Sequence, residues 1–471
     1  MSRLKIVSQS TCYLCLLLLV FNIPSSTKAS EKPDITLEQI EKDLAFLASD
    51  EMAGRGNFSE EIEIAADYIA NRFSEFGLTG TSEKISGIAS FKQTFSVFQL
   101  KPKLLKVSLN GKSIISDAIM AVSNQEVLQW NSVNDAKKVN THYVSAQDDP
   151  RQVFSKLNQQ GGLHFVLLDT QHEKNFNRYR QFFHRGLTKE SLGDPGAILV
   201  VVSDEKEIRD YKVNAIFDVI QKTLTNVVGV LPGKTKPNEM VLFSAHYDHL
   251  GIMKHTDAAD KKNKTDKQEG KQKSDEIYNG ADDDASGTTA VLSLARYFSQ
   301  ANNNARSLVF VAFSGEEIGG FGSKYFSNQL NPAQIIAMIN VEMIGKPSKF
   351  GLGKTWMTGT ERSDLFELLN QQLVSRGKEI YADPYPKQRL FYRSDNATLA
   401  KVGVPAHSFS STQIDKDKFY HQVSDEVKTL NTKSMQLVIQ TLAESVSGLV
   451  DGVDTPSRIE PLTLRPQGKI Y

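Results

Sequence analysis

The 471-residue chain has almost no cysteine: Cys12 and Cys15, both within the first thirty positions. A chain that starts after that segment has no disulfides and offers no thiolate to a metal. Net charge is missing too. Lys+Arg and Asp+Glu both count 55, so no bulk charge draws the chain to nucleic acid or to an anionic membrane surface. Nor does the apolar stretch near the N-terminus, "CYLCLLLLVFNI", reach the length that spans a bilayer comfortably. What remains is an ordinary soluble composition, 40% hydrophobic and 23% charged. The length suffices for two or three domains with proper cores.

The first 29 residues have the layout of a secretory signal peptide. Arg3 and Lys5 give a positive start, the apolar core follows, and Thr27 and Ala29 flank a cut near Ala29–Ser30. The alternative is an uncleaved N-terminal anchor. Cleavage removes Arg3, Lys5 and Lys28 and no acid, leaving 52 basic residues against 55 acidic. Export to the periplasm or the external medium is expected, with no stable membrane insertion afterwards.

Beyond the leader, Thr36 and Gln39 form a capping-box pattern ahead of Leu37, Ile40, Leu44 and Leu47 at helical spacing. "SDEMAGRGNFS" reads as a loop. A second helix starts after Ser59, with Ile62, Ala66, Ile69 and Phe73 on one face and Gly77 as its stop. Between residues 95 and 222, short β-rich stretches such as "HFVLLD" and "AILVVVS" alternate with long polar connections, which predicts an inserted β-rich domain. Residues 30–94 and 223–471 then form the main α/β domain. Its strands are "EMVLFSAH", "SLVFVAFS", "IIAMINVEM" and "VPAHSFS", alternating with helices that include "GTTAVLSLARYFSQ". Fully apolar strands alternating with helices predict a central, mostly parallel mixed sheet covered by helices on both faces. The lysine-rich stretch 254–279 has no apolar periodicity and reads as a flexible loop.

Five strand ends carry chemistry. "FSAHYDHLGI" holds His246, Asp248 and His249. "NGADDDASG" holds Asp282, Asp283 and Asp284, "FSGEEIGG" Glu316 and Glu317, "NVEMIG" Glu342, and "FYHQVSDE" His421 and Asp425. Sites in such sheets form beyond the carboxyl ends of the strands. Each motif alone has a structural reading: a solvated turn, a helix-dipole partner, a satisfied histidine. Glu342 resists that reading, because it ends an apolar strand where an unpartnered carboxylate is expensive. Two histidines and three carboxylates without cysteine form an N/O ligand set that suits zinc. Two metals about 3.5–4 Å apart need one bridging carboxylate and further ligands for each ion. Adjacent Glu316 and Glu317, if extended, point to opposite sides and can divide two roles.

The ordered series "AHYDHLG", "GADDDASG", "FVAFSGEEIGGFGS", "INVEMIG" and "YHQVSDE" resembles the co-catalytic di-zinc aminopeptidases and their glutamate carboxypeptidase relatives, over roughly residues 36–90 and 223–448. The 95–222 insert sits where many relatives carry a protease-associated domain. The resemblance implies two zinc ions per chain. His246 and Glu342 would bind the first, Glu317 and His421 the second, and Asp283 both. It also implies a cis Asp283–Asp284 peptide. Asp248 would orient His246 from behind, Glu316 would be the general base, and Tyr420 would support the tetrahedral oxyanion. Arg393 in "RSDNATLAKVGVP" would lie near the substrate's amino end. The implied reaction removes N-terminal residues from peptides with a free amino group. The sequence departs from the family at two positions: Glu342 stands where Asp is usual, and Asn396 where His is frequent, a position outside the metal ligands. His249 and His255 match no family role and read as surface residues. Three other readings share the fold: a metal-free binding module, a single-zinc glutaminyl cyclase, and a carboxypeptidase or dipeptidase. The complete ligand set argues against the first, and "DDDASG" with an intact "YHQVSDE" against the second; the third stays open.

Overall fold

The computed structural model describes residues 33–85, 88–135, 137–193, 195–253, 275–462 and 470. The stretch expected to be a leader, and residues 254–274 with His255 among them, lie outside the described residues.

The central sheet is mixed. Its four middle strands, Ala406–Ser410, Ile335–Val341, Lys236–His246 and Arg306–Phe313, are neighbours in that order and parallel. Tyr211–Leu231 then adds antiparallel to Arg306–Phe313, and Thr355–Met357 antiparallel to Ala406–Ser410. The parallel strands are mostly apolar in their central stretches because both faces are covered; every residue of Arg306–Phe313 is buried. Alternate residues divide between two cores. Val241, Phe243 and Ala245 join Leu308, Phe310 and Ala312 under the helices Leu37–Leu47, Glu60–Glu75, Gly287–Ala301 and Thr432–Ser445. Leu242 joins Val309, Val311 and Phe313 against the helices Phe321–Asn328 and Asn396–Ala400. Phe243 and Phe310 stack with centroids 5.3 Å apart; burying one such ring contributes about 1.5–3 kcal/mol.

Local sequence sets the helix ends. Thr36 accepts from the Gln39 amide at 3.4 Å, and Ser59 from Ile62 at 3.3 Å. Only half of the expected capping box forms, because the Gln39 side chain turns to Asp43 instead of back to the cap. Gly77 takes φ +76 as the second helix stops.

Residues 92–231 leave and rejoin the sheet through a long ribbon. Lys92–Leu109 pairs antiparallel with Tyr211–Leu231 along nearly its whole length. The far end of the ribbon packs against a four-stranded sheet with neighbours Ile119–Ser123, Ala197–Ser203, Leu163–Asp169 and Val139–Val144. Two connections expected to be irregular are helices, Pro150–Gln160 and Glu173–His184. Their apolar anchors are few, Phe154 and Leu157 in one and Phe176 and Phe183 in the other, which hid the helical period in polar sequence.

Candidate metal centre

The parallel strands all end on one edge, and the charged motifs meet there. His246 is the last residue of its strand, and the hydrogen-bonded register of Lys236–His246 with Ile335–Val341 brings the following Glu342 alongside. The His246 ring is fixed from behind: Nδ1–H donates to the Asp248 carbonyl at 3.0 Å, which turns Nε2 towards the carboxylates. That Nε2 lies 3.3 Å from Asp283 Oδ1 and 3.5 Å from Glu342 Oε1. On the other side His421 Nε2 lies 3.2 Å from Asp283 Oδ2 and 3.3 Å from Glu317 Oε2. Asp283 therefore offers one oxygen to each cluster. Four atoms bound to one ion at about 2.0–2.1 Å in tetrahedral geometry stand about 3.3 Å apart, which matches these spacings.

Each ligand-type residue is positioned by its neighbours. The Asp283–Asp284 peptide is cis. Asp425 Oδ2 accepts from the backbone N–H of Asp282 and Asp283 at 3.0 and 3.2 Å. Asp284 Oδ1 accepts from Gly287 and Met343, both at 3.0 Å. Asp282 accepts from Gly345 and Thr412, both at 2.7 Å, and its Oδ2 lies 3.3 Å from Lys346. Two of the three adjacent aspartates thus brace loops while the middle one faces both histidines. His421 and Met343 hold φ of +56 and +52, conformations that non-glycine residues adopt only when the surroundings impose them.

Asp248 is bound differently from the expectation. Its carboxylate stands 3.8 Å from His246 Nδ1. It accepts instead from the backbone N–H of Glu316 and Glu317 at 3.1 and 3.2 Å, and from Asn57 Nδ2 at 2.6 Å. It orients the two-glutamate turn. That turn is not extended; the glutamates diverge because consecutive turn residues hang from the two oxygens of one carboxylate. Glu317 faces His421, and Glu316 lines the adjoining cavity. Burial pushes the Glu316 carboxyl well above its ordinary pKa, against the pull of His246, and the Asp395, Glu342 and Glu317 carboxylates add to the rise. Burial also opposes ionisation of Asp283, but the adjoining His246, His421 and His249 rings hold it well below the carboxylate range.

The cavity measures ≈ 320 Å³, and Trp356, Leu390, Arg393, Ile414 and Tyr420 contribute to its wall. Tyr420 stacks on His421, ring centroids 3.9 Å apart. Burial first, then the Asp283, Glu317 and Glu342 carboxylates, raise its phenol pKa, so the hydroxyl remains a donor. Asn396 is buried and structural, bonded to the Phe391 and Ala406 carbonyls and to Ser408.

Two sequence readings need correction. His249 is not a surface residue: its side chain is 0% exposed, with Nδ1 2.8 Å from Glu317 Oε1. The stretch read as a flexible loop to residue 279 regains structure before its end, where Ile277–Tyr278 pairs with Gly251–Ile252. Next to it, the fully buried Arg55 donates to the carbonyls of Tyr247 (2.7 Å), Asn279 (2.8 Å) and Gly280 (2.9 Å) and also to that of Leu47. Arg55 and Asn57 escaped the sequence reading because both stand in an apparent loop, and Ser394 escaped it as well. The signal for Arg55 was an arginine between two glycines beside a predicted core helix. Ser394 Oγ donates to Glu342 Oε2 at 2.6 Å and accepts from Asn340 at 2.8 Å, and adjoins Arg393 in the quoted motif.

Buried polar atoms without a hydrogen-bond partner include Asp283 Oδ2, Asp284 Oδ2, Glu317 Oε1 and both ring nitrogens of His249. Such atoms are costly unless something binds them. Two groups have ligand atoms within 4.8 Å of one another: His246 with Asp284 and Glu342, and His249 with Asp283 and Glu317. The donor set is imidazole and carboxylate, which fits zinc.

The fold is an α/β sheet with an imidazole–carboxylate cluster at its strand ends, and comparison with known proteins finds the same fold among metallopeptidases. Residues 226–446 match the model of peptidase family M28. A leucine aminopeptidase 1 from Chaetomium globosum is 26% identical over 220 residues, 45% of this chain and 49% of that protein. A probable zinc metalloprotease from Pyrenophora teres f. teres is 34% identical over 124 residues, 26% of this chain and 23% of that protein. The chain thus spans half or less of these curated relatives. Among solved structures, an aminopeptidase from Aneurinibacillus sp. strain AM-1 shares the fold with a TM-score of 0.52 at 17% identity, over 92% of this chain and 96% of that one. A zinc aminopeptidase from Bacillus subtilis has the same TM-score at 14% identity, over 91% and 99%.

Proposed function

We propose that the protein is a zinc-dependent aminopeptidase that removes N-terminal residues from peptides, with two zinc ions per chain. The observation that carries this reading is Asp283, whose two oxygens each face a different histidine. His246, Glu342 and Asp283 would hold one ion, and Asp283, Glu317 and His421 the other. Bound there, the metals supply Lewis-acid polarisation of the scissile carbonyl and a water acidified towards a pKa of about 7. Glu316, held by Asp248 at the cavity edge, accepts the proton of the attacking water and delivers it to the leaving amine. Tyr420, protonated and on the cavity wall, donates to the oxyanion. Arg393 lines the same cavity and contacts the substrate near its amino end. A free α-amino group is the chemistry that the acidic side chains around the second position would recognise, which supports exopeptidase cleavage.

The 95–222 insert is read as a separate β-rich domain, and the leader as an export signal. Among the described residues no helix is long and apolar enough to cross a membrane. The test is a panel of aminoacyl-anilides against N-blocked peptides, with and without chelator. Hydrolysis of the free-amino substrates alone, abolished by chelation, is expected. Full activity in metal-free protein, or cleavage from the carboxyl end, overturns the reading.

A further inference from the structure

We propose that His249 is a ligand of the second ion, beside Asp283, Glu317 and His421, an inference that rests on the di-zinc reading above. Its ring is sealed into the site. The backbone N–H donates to the Arg55 carbonyl at 3.1 Å, and the turn before the triple aspartate closes over the ring. Gly280, at φ +53, leaves no room for a side chain: a Cβ there would come 2.5 Å from the imidazole. The ring meets His421 edge-on, with centroids 5.7 Å apart and planes at 65°.

The geometry favours a shared ion over a simple hydrogen bond. Nδ1 is 2.8 Å from Glu317 Oε1 and 3.8 Å from Asp283 Oδ2. Yet neither His249 Nδ1 nor Glu317 Oε1 has an aligned hydrogen-bond partner, and Asp283 Oδ2 has none either. Three buried atoms lie close together without pointing at one another, as ligands do when they converge on a common centre. The second position then has two imidazoles and two carboxylates, against one imidazole at the first. Extra nitrogen favours zinc, cobalt or nickel over magnesium and manganese, so the two positions differ in affinity and in metal preference. Arg55 becomes a positioning residue for this ligand through its hold on Tyr247, Asn279 and Gly280, which flank both sides of the ring's pocket.

X-ray absorption on the zinc-loaded full chain reads the number of imidazoles per ion without any mutation. Three imidazoles shared between two ions are expected, and two would overturn the proposal. His249→Gln supplies the second arm, because an amide can still donate to Glu317 but is a poor zinc ligand. Zinc affinity at the weaker-bound position of that variant, measured by chelator competition, should fall by more than about 100-fold, beyond the 10–100-fold range for loss of an outer hydrogen-bond partner. Unchanged affinity shows that His249 only donates to Glu317 and overturns the proposal. Thermal transitions of the metal-free variant and parent establish that both fold. If the parent chain binds no zinc, the di-zinc reading fails together with this one; if it binds two with two imidazoles, this inference fails alone.

Discussion

The two halves of the charged cluster are held by different kinds of structure. His246 and Glu342 sit at the ends of adjacent parallel strands, and their side chains are 1% and 20% exposed. A chain of polar contacts fixes that half: Ser244 donates to Asn340, Asn340 to Ser394, and Ser394 to Glu342. Glu317 and His421 come instead from a turn and a loop, and the His421 side chain is 36% exposed. The rigid half is set by β register and the open half by local backbone conformation, His421 at φ +56 among it. Side chains on regular elements are placed more closely than those on loops, so the first position should be the better preorganised and the second the point of exchange with solvent.

Adjacent Glu316 and Glu317 test that division most severely. Glu316→Gln keeps shape and hydrogen bonding but cannot accept a proton, so kcat should fall on the order of 10²–10⁴-fold while both zincs stay bound. Glu317→Gln should lose mainly the second ion, with activity following occupancy. Metal content and kcat measured side by side decide it; Glu316→Gln shedding zinc while Glu317→Gln keeps both would reverse the assignment.

The motifs named ligand candidates in both halves, Glu317 and His421 as well as His246 and Glu342, but not His249. Strand ends are visible as apolar runs that stop, so His246, Glu316 and Glu342 could be named from the motifs, and Glu342 from the cost of an unpartnered charge alone. His249 was misread because nothing in one sequence reports how a turn folds back, and its cover comes from Gly280 and Arg55, 31 and 194 positions away along the chain. The role of Asp248 was displaced for a similar reason: its carboxylate serves backbone amides 68 and 69 residues away, and amides carry no sequence signature. The central sheet followed from apolar runs, whereas the two helices of the insert, each anchored by a few aromatic or leucine side chains, did not.

Ser394→Ala probes the rigid half without touching a proposed ligand. It frees Glu342 Oε2 from a 2.6 Å hydrogen bond and breaks the link to Asn340. Loss of such an outer partner costs about 10–100-fold in metal affinity or activity. The loss should fall on the first ion. Chelator competition that shows the second ion weakened instead would erase the distinction between the halves.

Proton release probes both halves: burial lowers the His246 pKa, but Glu342 and Asp283 outweigh it and hold it well above its ordinary value, and His421 behaves alike. Burial lowers the His421 pKa, but the neighbouring Asp283 and Glu317 carboxylates outweigh it and raise it to about 10. In metal-free protein the imidazolium therefore stabilises the fold fully below its ordinary pKa of about 6.5, and that contribution is lost as pH rises through about 10. Zinc requires the neutral ring. Uptake at pH 8 should then release the His421 proton, and affinity should climb with pH. Calorimetry in buffers of different ionisation enthalpy measures it; uptake with no proton released at the second position breaks the argument.

Tyr420→Phe should have the smallest effect and sharpens the comparison most narrowly. The phenol ring stacks on His421 at 3.9 Å, and phenylalanine keeps that contact, so zinc content should be unchanged. Only the hydroxyl is lost. A donor to a developing oxyanion can be worth 10²–10³-fold when it is preorganised. Tyr420, however, is 42% exposed and stands on the open half, where water can substitute for it. The expected loss is therefore below about 100-fold in kcat, with KM nearly constant because the oxyanion exists only in the transition state. A rise in KM at constant kcat would move Tyr420 from transition-state support to ground-state substrate binding. A drop in zinc content would show instead that its hydroxyl, and not its ring, holds the His421 loop in place.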